Sequence, residues 1–176
     1  MKKIILVYGA IAGCIVVATI ELGIVAGDRL SVFTTVWFGY LIMLVALSLI
    51  FVGVKRYRDT ELGGVISFLT AFLAGLGIAT VAGVCYVAGW EAYLAATDYQ
   101  YIDLYAQGVI DAKTAAGVSG DELAQVIASM EELKTQYANP LFRLPMTFLE
   151  IFPVGLLISL VSAALLRNPR VLPAQS

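Results

Sequence analysis

Between Val65 and Gly89 the chain runs 25 residues without one charged side chain. At 1.5 Å per residue a helix of that length reaches about 37 Å, enough to cross a hydrocarbon core of roughly 30 Å. Three more stretches are mostly apolar: Ile4 to Ala26, Phe33 to Val54, and about Phe148 to Leu166. Hydrophobic residues make up 60% of the chain and charged ones only 14%. Ordinary soluble domains hold about 45–50% and 25%. A water-soluble surface cannot be assembled from that supply. The expected fold is all-α, an integral membrane four-helix bundle in a single membrane domain of residues 1–176. Its spans are 4–26, 33–54, 65–89 and 148–166, with a small helical extracytoplasmic region inserted at 90–146.

Basic residues near span ends predict the orientation. Lys2, Lys3, Lys55, Arg56, Arg58, Arg167 and Arg170 fall on one side, seven of the eleven Lys and Arg. The opposite side holds Arg29, Lys113, Lys134 and Arg143, and the long region there carries eight acids. Both termini are therefore expected in the cytoplasm, with Trp37 and Trp90 at the outer interface. The start, "MKKIILVYGAIAGC", resembles a lipoprotein cleavage box ending at Cys14. The apolar run continuing to Ala26 argues against cleavage there. Cys14 and Cys85 lie in apolar runs and read as small buried hydrophobes, not as a disulfide.

In the outer region, "SGDELAQVIASMEELKTQY" carries an apolar stripe of Leu123, Val126, Ile127, Met130, Leu133 and Tyr137. Ser119 and Glu122 have capping-box spacing at its start, and Asn139-Pro140 ends it. The stripe is expected to pack on the preceding residues, where Tyr93, Leu94, Tyr101, Leu104, Tyr105 and Ile110 suggest that span three continues outward.

Inside span four, "TFLEIFPVGLL" holds Glu150 and Pro153. Thr147 and Glu150 stand in a second T-x-x-E relation, which would start the helix at Thr147 and put Glu150 in its first turn, beside the positive dipole end. Pro153 frees the carbonyl of Leu149. A sharper reading pairs Glu150 with Glu21, the acid within span one, as an ion or proton site in the outer leaflet. With Arg143 or Arg29 between them the two acids would lock the bundle instead, and that reading is preferred. The candidate intramembrane polar site is thus Glu21, Arg143, Glu150 and Pro153.

On the cytoplasmic side, "KRYRDTELGG" reads as an anchor in which Lys55, Arg56 and Arg58 meet anionic headgroups, Arg58 pairs with Glu61, and Gly63-Gly64 turn the chain. Gly9 and Gly13 form a GxxxG pair compatible with self-association, and Ala71, Gly75, Gly77 and Gly83 thin one side of span three.

The motifs "YRD" (57–59), "GGVISF" (63–68), Asn139-Pro140 and "TFLEIFPVGLLISL" (147–160) make nearly the whole chain resemble an uncharacterised bacterial membrane-protein family catalogued as domain of unknown function 4199. The resemblance implies four helices and carries no activity or functional residue.

The chain has no histidine, no phosphate-binding glycine loop, no HExxH and no G-x-S-x-G. Catalytic, metal-binding and cofactor-binding residues are therefore not expected, and neither is nucleic-acid binding. The preferred reading is a non-enzymatic structural or accessory protein of a bacterial inner membrane, with the lipid bilayer and a homo-oligomer as partners. The alternative is a transporter or channel subunit using Glu21 and Glu150.

Overall fold

A computed structural model describes residues 1–26 and 36–174. They form α1 (Lys2–Ala26), α2 (Val36–Leu47), α3 (Leu49–Glu61), α4 (Phe68–Ala96), α5 (Tyr101–Ala115), α6 (Gly120–Ala138) and α7 (Pro140–Leu166), with no strand among the described residues. Among the described residues four segments are long and apolar enough to cross a membrane: Lys2–Gly23, Gly39–Glu61, Phe68–Ala96 and Pro140–Leu166. Arg29, the side chain of Trp37 and a start of span two at Phe33 lie outside the described residues.

The second segment joins two helices at Ser48. Its hydroxyl donates to the Val45 carbonyl at 2.6 Å, and its N–H reaches Leu44 and Val45 carbonyls at 3.0 and 3.2 Å. That local tightening replaces a loop, so the pair continues as one apolar segment. α3 also runs to Glu61, which puts Lys55, Arg56 and Arg58 on helix rather than in a link. The turn itself is made by Gly63 and Gly64, at φ of +64° and +86°, values that side chains with a Cβ adopt only at a cost.

The chain divides into two compact units, Met1–Gly89 with Phe148–Ser176, and Trp90–Thr147. In the first unit α4 is the central element, and missing side chains decide what packs on it. A Cβ on Gly9 or Gly13 of α1 would fall 2.6 Å from the Cβ of Val81 or Cys85. On α4 itself, Gly77 admits Ile5 and Gly89 admits Val17. These contacts rise together along both helices, so α1 runs parallel to α4. The other side of α4 receives α7: Gly83 meets Phe148, Ala79 meets Gly155, and Gly75 meets Ser159, in antiparallel order. Thus the GxxxG pair is taken up within the chain and is not a free face for a second copy. The small residues of α4 are likewise divided between two neighbours rather than lining one side.

Such close backbone approach is what binds helices where hydrophobic burial gives no advantage over lipid. Gly13→Ala would force α1 from α4, because Cys85 Cβ and the Ala82 carbonyl leave no room. The expected cost is about 1–3 kcal/mol, read as a lower melting temperature in detergent; an unchanged midpoint would refute the seam. Cys14, next to Gly13, is exposed rather than buried, while Cys85 is half-buried; both are free thiols. Large apolar side chains cover the outside, Leu22 at 69% and Leu157 at 62% exposed among them, as suits a lipid-facing surface.

In the second unit α5 and α6 pack on each other. Span three continues past Gly89 to Ala96, but it ends there and α5 is a separate helix. The turn after α5 closes with Gly117 N–H on the Thr114 carbonyl and Val118 N–H on Lys113, at 3.0 and 3.1 Å, with Gly117 left-handed at +87°; this is a Schellman cap. Ser119 occupies the N-cap of α6 with extended backbone, yet its side chain makes no capping bond. Leu123, Val126, Met130, Leu133 and Tyr137 are half-buried or buried, whereas Ile127 remains exposed.

Candidate functional site

Asn139-Pro140 both ends α6 and begins α7. Asn139 Oδ1 accepts the N–H of Leu141 at 3.0 Å, and Pro140 takes the first helical position, where its missing N–H costs nothing. α7 therefore starts two turns before Thr147, and the capping box there does not form. Thr147 is a buried helical residue. Glu150 stands in the third turn, beyond reach of the end dipole, which fades within one turn. What meets Glu150 is Tyr86 of α4, whose hydroxyl donates to Oε2 at 2.9 Å. The Glu150 side chain is exposed on the helix surface and that of Glu21 is half-exposed. Among the described residues Glu21 forms no hydrogen bond or ion pair, either with Glu150 as a shared site or with Arg143 as a lock. Pro153 lies within α7, which runs helical through it.

Arg143 has other partners. Its Nε and Nη2 donate to the two carboxylate oxygens of Glu91 at 2.6 and 2.8 Å, and Nη1 donates to the Tyr137 carbonyl at 2.8 Å. The guanidinium lies 5.0 Å from the Tyr99 ring and 5.7 Å from that of Tyr137, and the side chain is 4% exposed. A forked pair with stacked rings suits a planar guanidinium and not an ammonium. Trp90 belongs to the same cluster: its indole N–H donates to Tyr137 Oη at 2.7 Å, and its ring meets Tyr93 and Tyr101 at 5.3 and 4.8 Å. It is buried among aromatics rather than displayed to a membrane interface.

The turn from α4 to α5 brings Tyr99 over Arg143. Asp98 and Tyr99 are both left-handed, at φ of +52° and +57°, and Tyr99 N–H bonds the Leu94 carbonyl at 2.8 Å. Each such residue carries about 1–2 kcal/mol of strain, offset here by the ring over the cation. Asp98→Gly should stabilise the protein by up to about 1 kcal/mol by relieving that strain. A fall in melting temperature would instead assign the Asp98 carboxylate a bond of its own.

A groove of about 480 Å³ opens beside the cluster, lined by Tyr99, Ile102, Asp103, Lys134 and Tyr137 among others. Lys134 bridges Asp103 at 2.9 Å and Glu131 at 3.2 Å. The Asp103 carboxylate first, and Glu131 with it, hold its ammonium above the ordinary lysine value. A raised lysine pKa favours the paired hairpin below that ordinary value and loses effect only in strongly alkaline solution. The groove sets carboxylates beside the Lys134 ammonium and the Arg143 guanidinium, so it offers surface for a polar ligand. Among the described residues no three acids or cysteines approach closely enough to hold a metal.

At the C-terminal end of α3 the anchor separates into three different groups. Arg58 is 0% exposed. Its Nε donates to Asp59 at 2.7 Å, Nη1 to the Val171 carbonyl at 3.0 Å, and Nη2 to that of Leu172. Lys55 pairs with Asp59, and Glu61 pairs with the ammonium of Met1 rather than with Arg58. Only Arg56 of the three remains exposed. Glu91, Tyr99 and Tyr86 were not singled out from the sequence, because each acts through a partner distant along the chain.

Four apolar helical segments, packed through glycines in the first unit and joined to a polar helical hairpin, define a multi-pass α-helical membrane protein. The chain belongs to the family described as a protein of unknown function, DUF4199, whose model matches residues 7–168. Neither the curated proteins nor the solved structures yield a match.

Proposed function

We propose that this protein is a non-enzymatic structural or accessory component of a bacterial inner membrane, with both termini cytoplasmic and residues 90–146 on the outer side. The observation that carries the reading is how the polar groups on its apolar helices are occupied. Arg58 holds backbone carbonyls, Arg143 holds Glu91, and Glu150 accepts from Tyr86. Each bond fixes one helix to another segment, as expected of a scaffold. Self-association belongs to the same proposal, on a face other than Gly9–Gly13. The orientation rests on the seven basic residues that share one side. Cytosol-dependent reporters on both termini should be active, and Lys113 should react with an impermeant amine reagent on intact cells.

A second reading, a transporter or channel subunit, is favoured by one observation: Glu150 is exposed on an apolar helix. The two readings part in proteoliposomes. For a scaffold, Tyr86→Phe lowers the melting temperature by the equivalent of about 1–3 kcal/mol, while Glu150→Gln, which can still accept the bond, changes it little. Neither variant alters proton or cation flux. Flux in the parent protein that Glu150→Gln abolishes, with melting unchanged, would establish the transporter.

A further inference from the structure

The basic residues at the Met1 end are unequal, and the inequality singles out one place. Lys55 is paired with Asp59 and Arg58 is turned inward onto the C-terminal carbonyls. Lys3 and Arg56 are exposed and have no carboxylate partner among the described residues. Both line a groove of about 430 Å³ between α1 and α3. Arg56 is steadied there by Tyr8, whose Oη accepts from Nη1 at 3.4 Å. Glu61 stands on the same wall, but its carboxylate is neutralised by the Met1 ammonium. The mouth of the groove therefore presents two cations to an anion.

Its remaining wall is apolar. Ile4, Val7 and Ile11 follow one another along α1 at spacings of three and four, away from the charged mouth into the apolar segment Lys2–Gly23. Val7 and Ile11 are 45% and 47% exposed. A free phosphate would use the mouth and leave this wall bare. A neutral lipid would use the wall and leave the cations without an anion. We propose that the groove is a binding site for an anionic phospholipid, its phosphate on Lys3 and Arg56 and one acyl chain along Ile4, Val7 and Ile11.

The two charges lie at the end of the wall where a headgroup sits when a chain enters the hydrocarbon. Lys3 offers a point charge and Arg56 a planar fork, which together suit a phosphodiester. The Tyr8 hydroxyl and the α1 backbone set the distance between charge and chain, so the site distinguishes a lipid held in place from one merely near a basic surface.

The test uses the full chain in a neutral detergent, titrated with phosphatidylglycerol and followed by lipid adducts in native mass spectrometry. Phosphatidylcholine of the same chains and inorganic phosphate form the comparison arms. Phosphatidylglycerol should bind at least about tenfold more tightly than phosphatidylcholine, and Lys3→Gln with Arg56→Gln should abolish that preference. Arg167→Gln with Arg170→Gln, basic residues outside the groove, should leave it intact. Ile11→Trp, which fills the wall and keeps both charges, should weaken both lipids. Circular dichroism of each variant confirms the fold. The site is refuted if the Lys3/Arg56 double variant retains the preference, or if the Arg167/Arg170 pair loses it equally. Phosphate protecting the protein as well as the lipid does would overturn the lipid assignment in favour of a free anion.

Discussion

Arg143→Ala lowers the stability of the intact protein by about 3–5 kcal/mol, the usual result of removing one partner from a buried ion pair. The Glu91 carboxylate loses both of its donors and the Tyr137 carbonyl loses its own. Arg143→Lys recovers only part of the loss, since an ammonium cannot span both carboxylate oxygens or stack between Tyr99 and Tyr137. Arg143→Met combined with Glu91→Leu should lose less than either alone, because the unpaired charge, not the absence of the pair, is the costly state. Trp90 reports the change directly. In a Trp37→Phe background it is the sole tryptophan, and its bond to Tyr137 ties it to the backbone that Arg143 holds. Emission should shift to the red in Arg143→Ala and return in the double variant. Unaltered emission and melting in Arg143→Ala would show that the cluster contributes no stability.

The apolar segments were legible because their signal is local: Val65 to Gly89 needs no partner to be read as a membrane helix. The Gly63-Gly64 turn is local too. The ends of helices were less legible where one motif serves two elements. Asn139-Pro140 marks the end of α6, and nothing in the pair alone reveals that it also caps α7. A start at Thr147 would set the helix dipole beside Glu150, whereas the end at Pro140 lies nearly three turns away. Arg143 was recognised as a cation near the fourth span, but its partner Glu91 is 52 residues away in sequence. The cluster was hidden further by Tyr99, whose left-handed backbone no propensity would have suggested. Gly9 and Gly13 show the same limit from another side. Spacing reveals a surface for close approach and not whether the approaching helix belongs to the same chain.

Arg58→Gln is the second large effect expected. Arg58 is 113 residues from Val171 along the chain, yet its guanidinium is what fixes Val171 and Leu172 beside α3. Leu172 is left-handed at φ +48°, a conformation that a leucine keeps only when its surroundings hold it there. Removing the guanidinium leaves Asp59 to Lys55 alone and the two carbonyls without donors. The expected loss is about 3–5 kcal/mol, and it should be concentrated in the tail. Trypsin offers a local readout, because Arg167 and Arg170 precede the clamped residues. In the parent protein cleavage after Arg170 should be slow; in Arg58→Gln it should accelerate while sites in the 90–147 unit, Lys113 among them, keep their rate. Arg58→Lys, able to donate to one carbonyl but not to both and Asp59 together, should fall between. Asp59→Asn separates the two halves of the arrangement: it leaves both carbonyl bonds in place, so the tail should stay protected even though melting falls. Equal cleavage rates after Arg170 in all four proteins would mean that the tail is held by packing of Leu166 and Ala174, with the buried guanidinium serving only to neutralise Asp59.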